Sequence, residues 1–289
     1  MKCDICPRKC SSDRSQGQKG FCGVGDLPVV CRAAPHLWEE PCICGENGSG
    51  TVFFAGCNLK CVFCQNAKIS RGGEGREYTP SDLADLYLEL QAKGVSNINL
   101  VTPSPWVNHI KASLDIAWER GLFIPIVYNC GGYESVEAIR SLRGYVGIYM
   151  PDFKYMSEEL GRKYSFAPDY PEVAKRALYE MVCQRSDAVY DGDGMMVKGV
   201  IVRHLILPSH IEDSMRVLEY LHSEYGDSIV ISIMSQYTPM PNMLPPLDRR
   251  VSEEEYRAVV EYAKSIGIRK AYIQDGESAV ESFIPDFVL

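Results

Sequence analysis

Three cysteines, Cys57, Cys61 and Cys64, stand at the spacing C-x3-C-x2-C within the run Gly56-Cys57-Asn58-Leu59-Lys60-Cys61-Val62-Phe63-Cys64-Gln65-Asn66. A structural zinc site closes itself with four protein ligands, whereas an iron–sulfur cluster held by three thiolates leaves one iron open to bind something else. That open iron would make chemistry possible. The competing readings are a zinc knuckle completed from elsewhere in the chain, or a set of buried thiols.

A second set lies at the N-terminus, where Cys3, Cys6, Cys10 and Cys22 read C-x2-C-x3-C-x11-C. Four thiolates on so short a segment suffice for a tetrahedral site. Pro7 and Gly23 supply tight turns that let backbone N–H groups face bound sulfurs. Few large apolar side chains occur in the first 30 residues or so, so a metal would supply the folding energy that a small core cannot. The expectation is structural zinc or an auxiliary cluster. Cys31, Cys42 or Cys44 could replace Cys22, and an arm with free thiols is the alternative.

Composition narrows the function classes. The chain has 289 residues, 46% hydrophobic and 24% charged, which suits one large globular core. Its formal net charge of −8 argues against nucleic-acid binding, which needs a basic surface. The N-terminus lacks a signal peptide's apolar core, and no stretch approaches the roughly 18 apolar residues of a membrane span. A cytoplasmic location is therefore expected, where twelve cysteines serve better as metal ligands than as disulfides.

The elements that must position the thiols follow from periodicity. An apolar strand, Thr51-Val52-Phe53-Phe54-Ala55, runs directly into the Cys57 loop. A helix starts at Thr79-Pro80-Ser81-Asp82, with Thr79 as N-cap and Leu83, Leu86, Tyr87 and Leu90 on one face. Further strands are expected at 97–101, 124–128, 146–150, 200–207, 229–234 and 271–273. A long helix is expected over 172–184, and a last one opens on the capping box Ser252/Glu255 and stops near Gly267. Alternating strands and helices predict an α/β fold, a partial (β/α) barrel over 49–289 behind a cysteine-rich segment over 1–48. Barrel chemistry sits at the C-terminal strand ends. Those ends read Thr102-Pro103-Ser104, Asn129-Cys130-Gly131-Gly132, Asp152-Phe153-Lys154 and Ser235-Gln236-Tyr237. Arg203 and His204 lie within a strand, so only one of them faces inward.

The Cys57 loop, with an aromatic before its last cysteine, resembles the signature of radical S-adenosylmethionine (SAM) enzymes. With Asp152-x-Lys154 and Val202-Arg203-His204-Leu205-Ile206-Leu207-Pro208, the chain resembles more closely the pyruvate formate-lyase-activating enzymes, and nearly end to end an offshoot of that branch. The narrower match rests on segments 50–54, 97–103, 125–129 and 149–155. The resemblance implies a [4Fe–4S] cluster on Cys57, Cys61 and Cys64 whose fourth iron chelates SAM, and reductive cleavage of SAM to a 5′-deoxyadenosyl radical. It implies Phe63 and Asn66 near the adenine, and Asp152 and Lys154 against the ribose and methionine end. Thr102, Asn129, Arg203 and Tyr237 complete the implied cofactor pocket. A cationic Lys154 suits the SAM carboxylate; the alternative for Asp152 and Lys154 is a surface ion pair. His204 is equally readable as a core histidine.

Several positions depart from the branch. Its Gly-Gly-Glu after the second strand is Thr102-Pro103-Ser104 here, and Gly72-Gly73-Glu74 comes too early to replace it. Its Asp-Thr-Asn-Gly is Tyr128-Asn129-Cys130-Gly131, and its histidine after strand six is Gln236 or Tyr237. The implied function is radical hydrogen abstraction, with a backbone glycine of a partner glycyl-radical enzyme as one candidate substrate and a flavodoxin or ferredoxin as electron donor. Rival readings are a small molecule or other peptide as substrate, or a non-catalytic iron–sulfur or zinc protein. A carrier coordinates every iron by protein ligands, which three thiols do not.

Overall fold

Strands β2 (Ser49–Phe54), β4 (Ile98–Val101), β5 (Ile126–Cys130), β6 (Ile148–Pro151), β8 (Met196–Leu205), β9 (Val230–Met234) and β10 (Ala271–Ile273) pair in parallel in a computed structural model that describes residues 2–72 and 74–273. β1 (Val29–His36) adds antiparallel to β2, β3 (Arg76–Glu77) to β1, and β7 (Val189–Tyr190) to β8. The order β10-β9-β8-β6-β5-β4-β2-β1-β3 leaves β3 and β10 at the two edges. This is the parallel α/β sheet of a partial barrel. Among the described residues, no helix is long and apolar enough to cross a membrane.

Helices α1 (Pro41–Cys44), α2 (Ala67–Ser70), α3 (Pro80–Ala92), α4 (Val107–Glu119), α5 (Val136–Ser141), α6 (Glu158–Ser165), α7 (Tyr170–Gln184), α8 (Ile211–Tyr225) and α9 (Glu253–Ser265) complete the chain. The capping chemistry acts as the sequence predicts. The Thr79 and Ser252 side chains accept from Asp82 N and Glu255 N, and both carboxylates return the bond. Pro80 sits at N1 of α3, where its missing N–H costs nothing.

Period two divides each strand between two environments. On the helix side, Tyr128, Tyr149, Val200, Val202, Ile231 and Ile233 pack with residues of α5, α7, α8 and α9. On the other side, Val127, Ile148, Met150, Ile201 and Val230 close around Cys42 and Ile43 of α1. The helix α1 therefore plugs the concave side of the sheet. Asn97 fixes it by donating to Ile43 O at 2.7 Å while accepting from Ser49 at 2.6 Å. Buried Asn97, directly before β4, is thus a structural necessity rather than a violation of the apolar pattern.

The expected strands are all present, with shifted limits. The strand expected at 124–128 runs over 126–130, because Pro125 cannot donate into the ladder. Within the expected N-terminal segment, residues 29–36 form β1 and share the main sheet with β2. Gly72 follows α2 in a turn, and Gly73 lies outside the described residues.

Candidate functional site

The Cys57 loop leaves β2 at Gly56, which has φ of 81°. A Cβ there would strike the Val24 side chain and lie 2.9 Å from Cys22 O, so only glycine lets the N-terminal segment approach the loop. Asn58 Nδ2 donates to Tyr133 O at 2.6 Å, Val62 N to Tyr164 O at 2.9 Å and Leu59 N to Cys57 Sγ at 3.4 Å. The loop is thereby pinned to the segment after β5 and to α6. Phe63 is fixed edge-on by Tyr164 and Tyr237, with ring centroids 6.4 and 6.1 Å away.

The three thiols are mutual neighbours. Burial pushes Cys57 up to about 12, and the charges of Cys61 and Cys64 push in the same direction. Burial and Cys61 also raise Cys64, against a pull from Lys154. Binding iron to Cys57 and Cys64 must therefore displace their protons. Among the described residues, no three His, Cys, Asp or Glu side chains gather closely enough to enclose a single metal ion. Three thiols on one loop, beside buried cations and an open cavity, are a donor set that fits a site-differentiated cluster.

That cavity, of about 230 Å³, is walled by Cys61, Phe63, Cys64 and Asn66 on the loop side, with Asn129, Asp152, Lys154 and Arg203 on the sheet. The strand ends converge here because β5, β6 and β8 are adjacent and parallel. Asp152 is the hub. Lys154 Nζ lies 2.7 Å from Asp152 Oδ2, and Arg203 Nε lies 3.1 Å from Asp152 Oδ1. Arg203 also donates to Asn129 Oδ1 at 2.6 Å and pairs with Glu39 at 3.4 Å. The side chains of Asp152, Lys154 and Arg203 are 20%, 16% and 17% exposed, so the surface-pair reading does not hold. Burial disfavours the charge on each of them. For Asp152, Lys154 and Arg203 outweigh it and hold the carboxyl below its ordinary range. The carboxylate of Asp152 in turn keeps both cations charged.

Gly132, at φ 79°, belongs to the same framework. A Cβ there would run into the Asp152 carbonyl and come within 2.8 Å of the Tyr170 hydroxyl. That hydroxyl accepts from Lys154 N at 2.9 Å. The period-two rule resolves the Arg203/His204 pair. Arg203 faces the cavity, while His204 is buried on the helix side with Nδ1 2.7 Å from Phe153 O.

Two expected wall residues lie elsewhere. Tyr237 is buried behind Phe63 and donates to Leu247 O at 2.6 Å. Thr102 takes φ of 58° and donates its N–H to Asn129 O at 2.9 Å, off the cavity wall. Trp38 and Glu39 line the wall without having been expected there. The sequence signal was available: two acids, Glu39 and Glu40, stand directly before the N1 proline of α1.

Behind the site, buried Glu134 accepts from Ser104 and from Tyr128 OH, the latter at 3.2 Å. Burial pushes its carboxyl up to about 7 against the pull of these bonds. The folded value exceeds the ordinary 4.5, so the folded state holds the extra proton between the two values. Stability is then fullest below pH 4.5 and falls as pH rises through about 7. Wild type should lose on the order of 2 kcal/mol more than Glu134→Gln between about pH 5 and pH 8. Urea titrations at both pH values check this; equal losses would refute it.

The N-terminal thiols sit on the barrel. Arg8 Nε donates to Asn58 O at 2.7 Å and its guanidinium lies over Phe21 at 4.0 Å, while Ser135 donates to Ile5 O at 2.7 Å. Cys3 and Cys22 are buried, and burial pushes Cys6 up to about 12 with Cys22 and Cys3 adding to the rise. Cys10 is exposed and turns to Ser12 at 3.5 Å. Cys31 packs with Phe53 and Val101, and Cys42 lies in the α1 plug.

Residues 51–182, a little under half of the chain, match the model of the Radical SAM superfamily. Among whole proteins, the chain is similar to Uncharacterized protein MJ0674 of Methanocaldococcus jannaschii. The two are 28% identical over 281 residues, covering 93% of this chain and 76% of the relative. Uncharacterized protein MJ0808 of the same organism is 27% identical over 248 residues, covering 78% and 67%. Among solved structures, HydG, a maturase of the [FeFe]-hydrogenase, superposes with a TM-score of 0.49 at 17% identity, covering 72% of this chain and 47% of HydG. Streptococcus suis SuiB bound to its precursor peptide SuiA gives 0.48 at 13%, covering 73% and 43%. The chain thus spans less than half the length of these two solved chains.

Proposed function

We propose that the protein is a radical SAM enzyme whose cluster is held by Cys57, Cys61 and Cys64 and whose SAM lies in the cavity that Cys61 and Cys64 border. The observation that carries this reading is the meeting of two of the three loop thiols, Cys61 and Cys64, with the largely buried Asp152–Lys154–Arg203 network on one cavity wall. When bound, the cluster and SAM supply a 5′-deoxyadenosyl radical that abstracts a hydrogen atom. Lys154 offers an ammonium to the SAM carboxylate, with its own charge secured by Asp152. Phe63 and Asn66 border the adenine, and Asn129 and Arg203 offer polar groups to the rest of the cofactor. The loop and sheet residues that wall the cavity limit water at the reacting centre.

Within this class, the resemblance to glycyl-radical activating enzymes favours a backbone glycine of a partner protein as hydrogen donor, with a flavodoxin or ferredoxin delivering the electron. Electron paramagnetic resonance of the reduced, SAM-loaded protein mixed with a candidate glycyl-radical polypeptide tests this. A glycyl doublet supports it; SAM consumption without any protein radical points to a small molecule or other peptide.

We further read Cys3, Cys6, Cys10 and Cys22 as a second metal site, structural zinc or an auxiliary cluster. Cys22 and Cys3 lie near enough to Cys6 for their charges to raise it, while Cys10 turns to Ser12. A variant with Cys57, Cys61 and Cys64 all changed to alanine should retain about one zinc, or one cluster's worth of iron, per chain. A metal-free triple variant contradicts the assignment.

A further inference from the structure

A second cavity, of about 290 Å³, opens between the chain that follows β1 and the β9–β10 end of the sheet. Leu37 and Trp38, beyond β1, form one side, and Ser232, Met234 and Tyr272 of β9 and β10 form the other. Glu39 and Glu40 border it from the chain entering α1. Trp38, Glu39, Arg203, Met234 and Gln236 line both cavities, so the second is continuous with the pocket beside the thiols. A ligand entering between the Leu37–Pro41 segment and β10 would reach that pocket directly.

The two acids differ in their partners. Glu39 accepts from Asn99 Nδ2 at 3.0 Å and pairs with Arg203. Glu40 is 8% exposed, and its Oε2 is buried with no hydrogen-bond partner. Nearby Arg203 has its donors directed at Asp152, Glu39 and Asn129 instead. Asn99 Oδ1, beside Glu39, is a second buried acceptor without a donor. Native proteins seldom leave a buried carboxylate oxygen unsatisfied, and an accumulation of empty acceptors calls for a ligand rich in donors. Ammonium carries three N–H donors and no acceptor, and guanidinium five. A carboxylate or phosphate ligand would instead face Glu39 and Glu40 as like charges. Trp38 and Tyr272 bring aromatic rings to the same cavity, which attract cations and not anions.

We propose that this cavity seats a cationic group of the substrate, a primary ammonium or a guanidinium, on Glu40. Its place next to the cofactor pocket gives the anchor its purpose, and in that respect it rests on the radical SAM reading. Holding the charged end on Glu40 fixes which carbon of the substrate is presented to the neighbouring pocket.

Calorimetric titration of the cluster-loaded, SAM-bound protein tests this with putrescine, agmatine and a blocked Ala-Lys-Ala peptide, against neutral butanediol and anionic succinate. At least one cationic probe should bind, and butanediol and succinate should not. Binding by the amines alone identifies a small molecule; tighter binding of the peptide identifies a protein side chain. Glu40→Gln should weaken the cation by at least about tenfold, as loss of a charge-assisted hydrogen bond does. Glu40→Asp, which keeps the charge, should recover most of the affinity. If Glu40→Gln does not fold, Glu40→Asp and the charge series on wild type still decide. No cationic binding, a preference for butanediol or succinate, or equal affinity in wild type and Glu40→Gln overturns the proposal. The readout is binding and not turnover. A protein that cleaves SAM but binds no cation removes this inference alone, and one that binds cations without cleaving SAM removes the enzymatic reading alone.

Discussion

Changing any one of Cys57, Cys61 or Cys64 to alanine is expected to bring reductive SAM cleavage down to the level of protein-free reductant. Two thiolates cannot hold a cubane with a single open iron. Cys130 is buried, and burial together with Glu134 holds it well above the ordinary thiol range. Cys31, within β1, is buried among Phe53 and Val101. The loss should be of the same size at all three positions, because each thiol fills one corner. It should be accompanied by loss of the near-400 nm absorbance that thiolate-bound iron gives. Liquid-chromatographic quantitation of 5′-deoxyadenosine is the check. Full activity in any one variant would remove that cysteine from the ligand set.

The second large effect concerns Asp152. Its removal leaves Lys154 and Arg203 facing each other in a largely buried place without their shared counter-charge. Breaking a buried pair in this way costs about 3 kcal/mol. Asp152→Ala should therefore lower unfolding stability by that amount and weaken SAM binding, while the cluster content per chain stays at the wild-type level. Lys154→Ala should likewise weaken SAM binding with the cluster intact, since its ammonium is offered to the cofactor and not to iron. Denaturant titration, iron analysis and equilibrium SAM binding separate the three effects. Unchanged SAM affinity in both variants would leave Asp152 and Lys154 as a structural pair only.

The parts of the site that were legible in the sequence are those fixed by local rules. The thiol spacing, the strand preceding it, the N-cap at Thr79, the capping box at Ser252 and the inward turn of Arg203 depend on period, propensity and neighbouring side chains. What was not legible depends on contacts distant in sequence. β1 was hidden because five of its eight residues are at intermediate exposure, so no clean alternation marks it. Glu39 reaches the cavity through Asn99 and Arg203, 60 and 164 residues away. Tyr237 was expected on the wall from its place after β9, yet its hydroxyl finds Leu247 O and the ring serves as backing for Phe63. Thr102 stands at a strand end as expected, but its left-handed backbone turns the chain off the wall toward Asn129.

The central claim is that this chain cleaves SAM by one-electron reduction at the Cys57 loop. Protein reconstituted anaerobically with iron and sulfide, reduced with dithionite and given SAM should form 5′-deoxyadenosine and methionine in equal amounts. No 5′-deoxyadenosine from protein carrying a full complement of reduced cluster would contradict it.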